Sequence, residues 1–314
     1  MITHIQGYTA TDIYETAMGR IATDATTQDS RNGKVYSIPH PVIMQMHRPD
    51  HRVLFTPIRK PNHTFHVMEA IWMLAGERNV EWLLQFNSQM GKYAEDNGDI
   101  HGAYGYRWRR YWNFDQIKLA ISRLQHNHND RQVVVTMWDP AADMDVSNLK
   151  DRPCNTQIMF RIIRGKLDMS VVNRSNDLIF GMMGSNVVHM TMLHELVASA
   201  VGVGMGTYTV FTQNLHVYPD IPYYSEIRAE AYNCVDQYSR EVSPRPMINQ
   251  HESAHQFLTD CSSFVAGEPD DCECAWFHDV AAPMMYGYLN KERRDHHWNQ
   301  IKATDWKLAL EIWQ

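Results

Sequence analysis

The sequence has no stretch approaching the roughly 18 consecutive apolar residues a membrane helix needs. Its opening, MITHIQGYTATDIYETAM, also lacks the basic flank and apolar run of a signal peptide. A cytoplasmic protein with no membrane partner is the expectation. Positive charge is not in excess either: Lys and Arg number 29 against 36 Asp and Glu, a formal net charge of −7. That argues against a stable nucleic-acid partner held along its backbone, so a phosphate group must be met by a local arginine cluster. Cysteine is scarce. Cys154, Cys234, Cys261, Cys272 and Cys274 form an odd set with no Cys-x-x-Cys spacing, which excludes a disulfide framework and a zinc ribbon. Repeats, low-complexity tracts and a Pro/Gly-rich linker are also missing, so the 314 residues read as one continuous domain with a sizeable core.

What is present is an α+β pattern. Residues 64–75, TFHVMEAIWMLA, place Met68, Ile71, Trp72 and Ala75 at helical spacing, with Thr64 as N-cap, Gly76 as stop and one acid, Glu69, inside. RQVVVTMW (131–138) reads as a strand, and TQIMFRII and KLDMSVV flank Arg164-Gly165 as a hairpin. A long helix follows, with Met190, Leu193, Val197 and Val201 on one face and Gly202 as terminator. GTYTVFTQNLHVY then returns to strand, and beyond Pro219 the chain turns helix-rich.

Four places carry candidate chemistry. Cys154 stands at a strand entrance after Pro153, with arginines at 152, 161 and 164 nearby; it is either a small core residue or a nucleophile whose thiolate a cation stabilises. In NRSNDLIFGMMGSN, Arg174 and Ser175 suit a phosphate, and Asn186 suits a base edge; the plain alternatives are a surface ion pair and N-capping by Ser185 or Asn186. In DIHGAYGYRWRR, Gly102 and Gly105 bracket Tyr104, which suggests a tight turn. HESAH (251–255) matches a zinc-protease pattern, but its polar flanks favour a solvated helix face. Packing or surface roles suffice for the DCECAW cysteines, and no metal is expected.

Seven collinear segments together resemble the thymidylate synthase superfamily, which includes the pyrimidine nucleotide hydroxymethylases. They are RNGK at 31, MEAIWMLAGERNV at 68, EDNGDIHGAYGYRWR at 95, DRQVVV at 130, RPCNTQ at 152, NRSNDLIFG at 173 and NLHVY at 214. The resemblance spans about residues 31–222, leaving 223–314 as a helical C-terminal extension that either covers the site or enlarges a dimer. It implies a sheet-rich α+β domain with long packed helices, which dimerises through its sheets. It also implies folate-dependent one-carbon transfer from 5,10-methylenetetrahydrofolate to C5 of a pyrimidine nucleoside monophosphate.

On that resemblance Cys154 is the nucleophile adding to C6, Glu69 the water-linked acid/base, and Tyr104 the residue tied to proton removal at C5. Arg31, Arg174 and Ser175 hold phosphate, joined by Arg131 from the other subunit of a homodimer. Asp177 belongs to the folate site, while His216 and Tyr218 hold the sugar hydroxyl.

Three departures bear on the product. Asn155 stands where the synthases usually have His, NSQMGKYAEDNGD with Met90 and Tyr93 replaces a tryptophan-rich segment, and the chain ends in ALEIWQ rather than a short closing tail. A less enclosed site favours water over hydride as the final nucleophile, hence hydroxymethylation ahead of methylation. The base remains open between dUMP and dCMP or CMP, because GMMGSN is one residue longer than the family segment and either Ser185 or Asn186 can read it. A metalloprotease and an inactive nucleotide-binding relative are the remaining alternatives.

Overall fold

The computed structural model describes residues 1–144, 148–240, 242–249 and 251–314. Its strands are β1 (Thr3–Gly7), β2 (Thr26–Ser30), β3 (Gly33–Ser37), β4 (Val42–Met46), β5 (Val134–Thr136), β6 (Asn155–Ile163), β7 (Lys166–Asn173), β8 (Asn176–Asp177), β9 (Gly204–Thr212) and β10 (Leu215–Val217). A six-stranded sheet runs β1-β4-β9-β7-β6-β5, and a four-stranded sheet runs β2-β3-β10-β8. The α+β reading holds.

The hairpin β6–β7 turns at Arg164 and Gly165, both left-handed (φ 51° and 74°), the geometry that suits the twist of paired strands. Along β4, β7 and β9 burial alternates strictly, so one face enters the core while the other stays partly open. The strand expected over 131–138 is shorter than its β-branched run, and GTYTVFTQNLHVY is not one strand. The chain leaves β9 after Thr212, Gln213 N–H bonds Asn173 O at 3.0 Å, and β10 joins the other sheet.

Helices α1 (Ala10–Asp24), α2 (His63–Ala75), α3 (Tyr104–Arg109), α4 (Gln116–His126), α5 (Val187–Val201), α6 (Ala254–Val265), α7 (Ala282–Leu289) and α8 (Thr304–Trp313) complete the elements used below. Gly76 and Gly202 end α2 and α5 in the left-handed conformation, as expected. The cap of α2 is Asn62, whose side chain accepts from Phe65 N–H at 3.0 Å; Thr64 is buried in the first turn instead. α5 is apolar nearly all round rather than on one face, because it lies between the large sheet and α2.

One core draws residues from Ile5 to Leu310. The C-terminal segment contributes through α6, α7 and α8, all packed on α2, with Tyr288 Oη 3.2 Å from Asn62 Nδ2. Among the described residues no helix is long and apolar enough to cross a membrane.

HESAH is not a helix face. Ser253 caps α6, so His251 and Glu252 precede the helix, and Glu252 accepts from Asn249 N–H and Ala275 N–H. No group of three or more His, Cys, Asp or Glu among the described residues could hold a metal ion.

Candidate active site

Cys154 lies one residue before β6, and its main chain is held from two sides. Cys154 N–H and Asn155 N–H both donate to Tyr104 Oη, at 3.1 and 3.3 Å. On the other side Cys154 O accepts Arg174 N–H at 2.9 Å. Tyr104 is fixed in turn by its helix. Gly105 follows it inside α3 rather than in a turn, because a Cβ there would strike the backbone of Met73 on α2. Arg107, fully buried on α3, makes a bidentate pair with Asp143 (2.6 and 2.8 Å) and donates to Met137 O. Gly102 is required by a close approach as well, since its N–H donates to Asp151 at 3.0 Å and a Cβ would lie 2.5 Å from that carboxylate.

The expected activation of the thiol is reversed here. Burial pushes the Cys154 thiol up, assisted by the nearby carboxylates Asp151 and Asp177 and opposed by Arg174 and Arg31. The cations that act are therefore not the sequence neighbours: Arg161 faces Asp168 across the hairpin and Arg164 sits in its turn. Arg174 is exposed, directs Nε and Nη2 to the carbonyls of Pro153 and Arg152 (2.9 and 3.1 Å), and lies over the Trp138 ring. Ser175 stands next to it, Oγ 3.5 Å from Asn214 Oδ1. The same burial, with Cys154 and Asp151 adjacent, pushes the Tyr104 phenol up and keeps it protonated.

Asp177 caps the irregular turn Leu178–Asn186, accepting from Ile179 N–H (2.8 Å) and Phe180 N–H (3.2 Å). Even so, burial pushes its carboxyl up. Across the β8–β10 pairing stands His216, drawn down by burial; its Nδ1 is 2.8 Å from Asn214 Oδ1 and its ring meets Tyr218 edge-on at 5.3 Å. Tyr93 faces the same cluster, its phenol pushed up by burial and then by Asp151, Tyr218 and Asp177.

Capping does not explain Asn186, whose side chain bonds no helix N–H. Its Nδ2 donates to Asn176 Oδ1 at 3.2 Å, over Gly181. Ser185, one residue earlier, is half-buried.

Asn155 is buried against Asn173, whose Nδ2 donates to Asn155 Oδ1. That leaves Asn155 Nδ2 and Asn173 Oδ1 as a buried donor and acceptor without a hydrogen-bond partner. Glu69 is nearly buried on α2, against His189 of α5. Arg131 does not join this cluster; it is exposed and lines an open polar groove with Arg123, Asp130 and Gln132.

Sequence reasoning missed Asp151, Asn173, Asn176, His189 and Asn214. Asn176 and Asn214 lie inside the quoted motifs, yet only the β8–β10 pairing brings them together, with Asn176 N–H bonded to Asn214 O at 2.8 Å.

A folate-like co-substrate needs a flat surface and polar partners. Beside Asp177, Phe180 is 55% exposed and Arg59 lies against its ring, while the buried Nε and Nη1 of Arg59 lack partners. Those residues fit such a group.

Comparison with known proteins matches the same stretch. The thymidylate synthase family model covers residues 12–266. A deoxyuridylate hydroxymethyltransferase of Pseudomonas phage M6 is 36% identical over 320 residues, covering 95% of this chain and 89% of that protein. A second, from Bacillus phage SP01, is 32% identical over 321 residues, covering 95% and 82%. A third, from Delftia phage PhiW-14, is 32% identical over 180 residues, covering 54% and 50%.

Proposed function

Since the chain belongs to the thymidylate synthase family, we propose that it is a deoxyuridylate hydroxymethyltransferase, converting dUMP to 5-hydroxymethyl-dUMP. The observation that carries the reading is the Cys154–Tyr104–Asn155 junction: a partly sheltered thiol on a rigid main chain, followed by a buried amide with an unsatisfied donor. 5,10-Methylenetetrahydrofolate supplies the one-carbon unit at oxidation level sufficient for a CH2 bridge.

Cys154 Sγ adds to C6 of the ring, and the displaced electron pair makes C5 nucleophilic. The thiol that burial holds protonated must lose its proton on substrate binding, when Arg174 and Arg31 are the cations able to favour the thiolate. C5 attacks the one-carbon unit to form a C5–CH2–tetrahydrofolate bridge; loss of the C5 hydrogen, with Tyr104 next to that proton's path, then drives the electron pair to expel tetrahydrofolate from the CH2 and leaves an exocyclic C5=CH2. Water then adds to the exocyclic CH2; its proton leaves to Glu69, the electron pair moves to C5, and collapse breaks the C6–S bond. Two features favour water. Asn155 stands where the synthases usually have His, and Met90 and Tyr93 replace their tryptophan-rich segment, which leaves a less enclosed site.

Uracil as the base rests on the deoxyuridylate-acting relatives, and the Asn186 amide is compatible with it. With one Nδ2 hydrogen given to Asn176, Oδ1 can accept uracil N3–H and the second Nδ2 hydrogen can donate to O4. Arg31, Arg174 and Ser175 are assigned to the phosphate, His216 and Tyr218 to the sugar hydroxyl, and Asp177 to the folate. Arg131, remote from Cys154, suits donation across a homodimer. The open sheet face supports that assembly, because Ile43, Phe211 and Val172 form one apolar row across β4, β9 and β7. The continuous core favours one domain for residues 1–314.

Turnover should be compared on dUMP, dCMP and CMP with formaldehyde-loaded tetrahydrofolate. The reading expects dUMP to react and tetrahydrofolate to be released. Accumulating dihydrofolate would instead mean methylation, and unchanged turnover by Cys154→Ala would refute the covalent route.

A further inference from the structure

Several buried histidines pack in the core near α2 and α5. His63 Nε2 lies 3.1 Å from Leu54 O, and His194 Nε2 lies 2.5 Å from Leu167 O. His189 differs. It is 3% exposed, and neither ring nitrogen makes a hydrogen bond. Its Nε2 lies 3.1 Å from Glu69 Oε2, close but out of line, and Oε2 is itself buried without a hydrogen-bond partner.

A buried carboxylate oxygen and a buried imidazole nitrogen left unpaired each cost free energy, on the order of 1–3 kcal/mol. One small ring adjustment satisfies both, and such contacts in an empty site commonly tighten once substrate is bound. His66, on the same helix as Glu69, is held well below the usual imidazole range by burial, with His63, Arg59 and His189 around it.

We propose that His189 is a positioning residue for Glu69, donating Nε2–H to Oε2 so that Oε1 is presented to the attacking water. The inference rests on the hydroxymethylase reading. In the step concerned, the water oxygen bonds to the exocyclic CH2, its proton passes to Glu69 Oε1, and the electron pair released at C5 expels Cys154 from C6. His189 stays bonded to Oε2 throughout and keeps the carboxylate from rotating. Sequence gives no hint of the pair, because residues 69 and 189 meet only where α2 crosses α5.

The test compares His189→Ala and His189→Gln, the latter keeping a donor of similar reach. Loss of positioning should lower kcat in His189→Ala by about 10- to 100-fold, with KM for dUMP changed less than about threefold. His189→Gln should recover most of kcat. Equal impairment of both variants, or a loss confined to KM, would overturn the proposal. Ring nitrogen NMR gives a readout that needs neither turnover nor a folded Ala variant: the His189 signals in the dUMP-bound protein should move in Glu69→Gln. Signals that stay fixed would overturn the pairing even in an active enzyme. Absence of any pyrimidine turnover by the unmodified protein, with the signals moving, would remove the hydroxymethylase reading and leave the pairing intact.

Discussion

Removing one oxygen atom, in Tyr104→Phe, should damage stability and chemistry together. Tyr104 Oη accepts two main-chain bonds, from Cys154 N–H at 3.1 Å and Asn155 N–H at 3.3 Å. The phenylalanine ring fits the same space between α2 and β6 but leaves both donors unpaired beside the nucleophile. An unsatisfied buried donor costs about 1–3 kcal/mol, and the longer bond belongs near the low end, so a total of about 2–4 kcal/mol is expected. Against a typical domain stability of about 5–15 kcal/mol this shifts a urea midpoint visibly without unfolding the chain. The phenol proton is lost as well, and proton-transfer groups contribute roughly 10²- to 10⁴-fold in rate. Urea unfolding reads the first effect, and tritium release from C5-labelled dUMP reads the second. A Tyr104→Phe protein within about 0.5 kcal/mol of the parent, releasing tritium at the parent rate, would refute the role given to this hydroxyl.

Two other perturbations follow from single distances or shifts. Gly181→Ala places a Cβ 2.6 Å from Asn176 Oδ1 and 3.5 Å from Asn186 Nδ2. It should displace the base-reading amide and raise KM for dUMP about tenfold, the value of one hydrogen bond; steady-state kinetics with an unchanged KM would reject Asn186 as reader. His63, pulled down to about 3 by burial and then by Arg59, stays neutral when folded but takes a proton near pH 6.5 when unfolded. Its folded value is depressed, so the stability it confers is present above pH 6.5 and declines as pH falls towards 3. By pH 5 the loss is about 2 kcal/mol for this one group. Urea titrations of His63→Gln and the parent should therefore differ by that much less at pH 5 than at pH 7, and a pH-independent difference would contradict the assignment.

Local chemistry was legible where it depends on period and turn residues. The β6–β7 hairpin, the Gly76 and Gly202 helix ends and the strand entrance at Cys154 all follow from such signals. What escaped depends on contacts distant in sequence. Thr64 looked like a cap because it precedes the apolar run, but Asn62 sits two residues earlier with its side chain on Phe65 N–H. The break at Gln213 does not disturb the alternation of GTYTVFTQNLHVY, so one strand was expected where two sheets meet. Charge near Cys154 was misjudged for the same reason: Arg174 comes from just past the end of β7 and points at carbonyls, while burial, invisible in the sequence, dominates the thiol. The sequence singled out Cys154, Asp177, Asn186 and His216 as candidates, but the asparagines that contact Asn186 and His216 came into view only with the strand pairing.

In the proposed route water, not hydride, completes the reaction on dUMP. Running the reaction in oxygen-18 water and analysing the nucleotide by mass spectrometry tests it directly. The proposed route yields 5-hydroxymethyl-dUMP carrying one oxygen-18 atom in its new hydroxyl, with tetrahydrofolate as co-product. Unlabelled dTMP accompanied by dihydrofolate would contradict it.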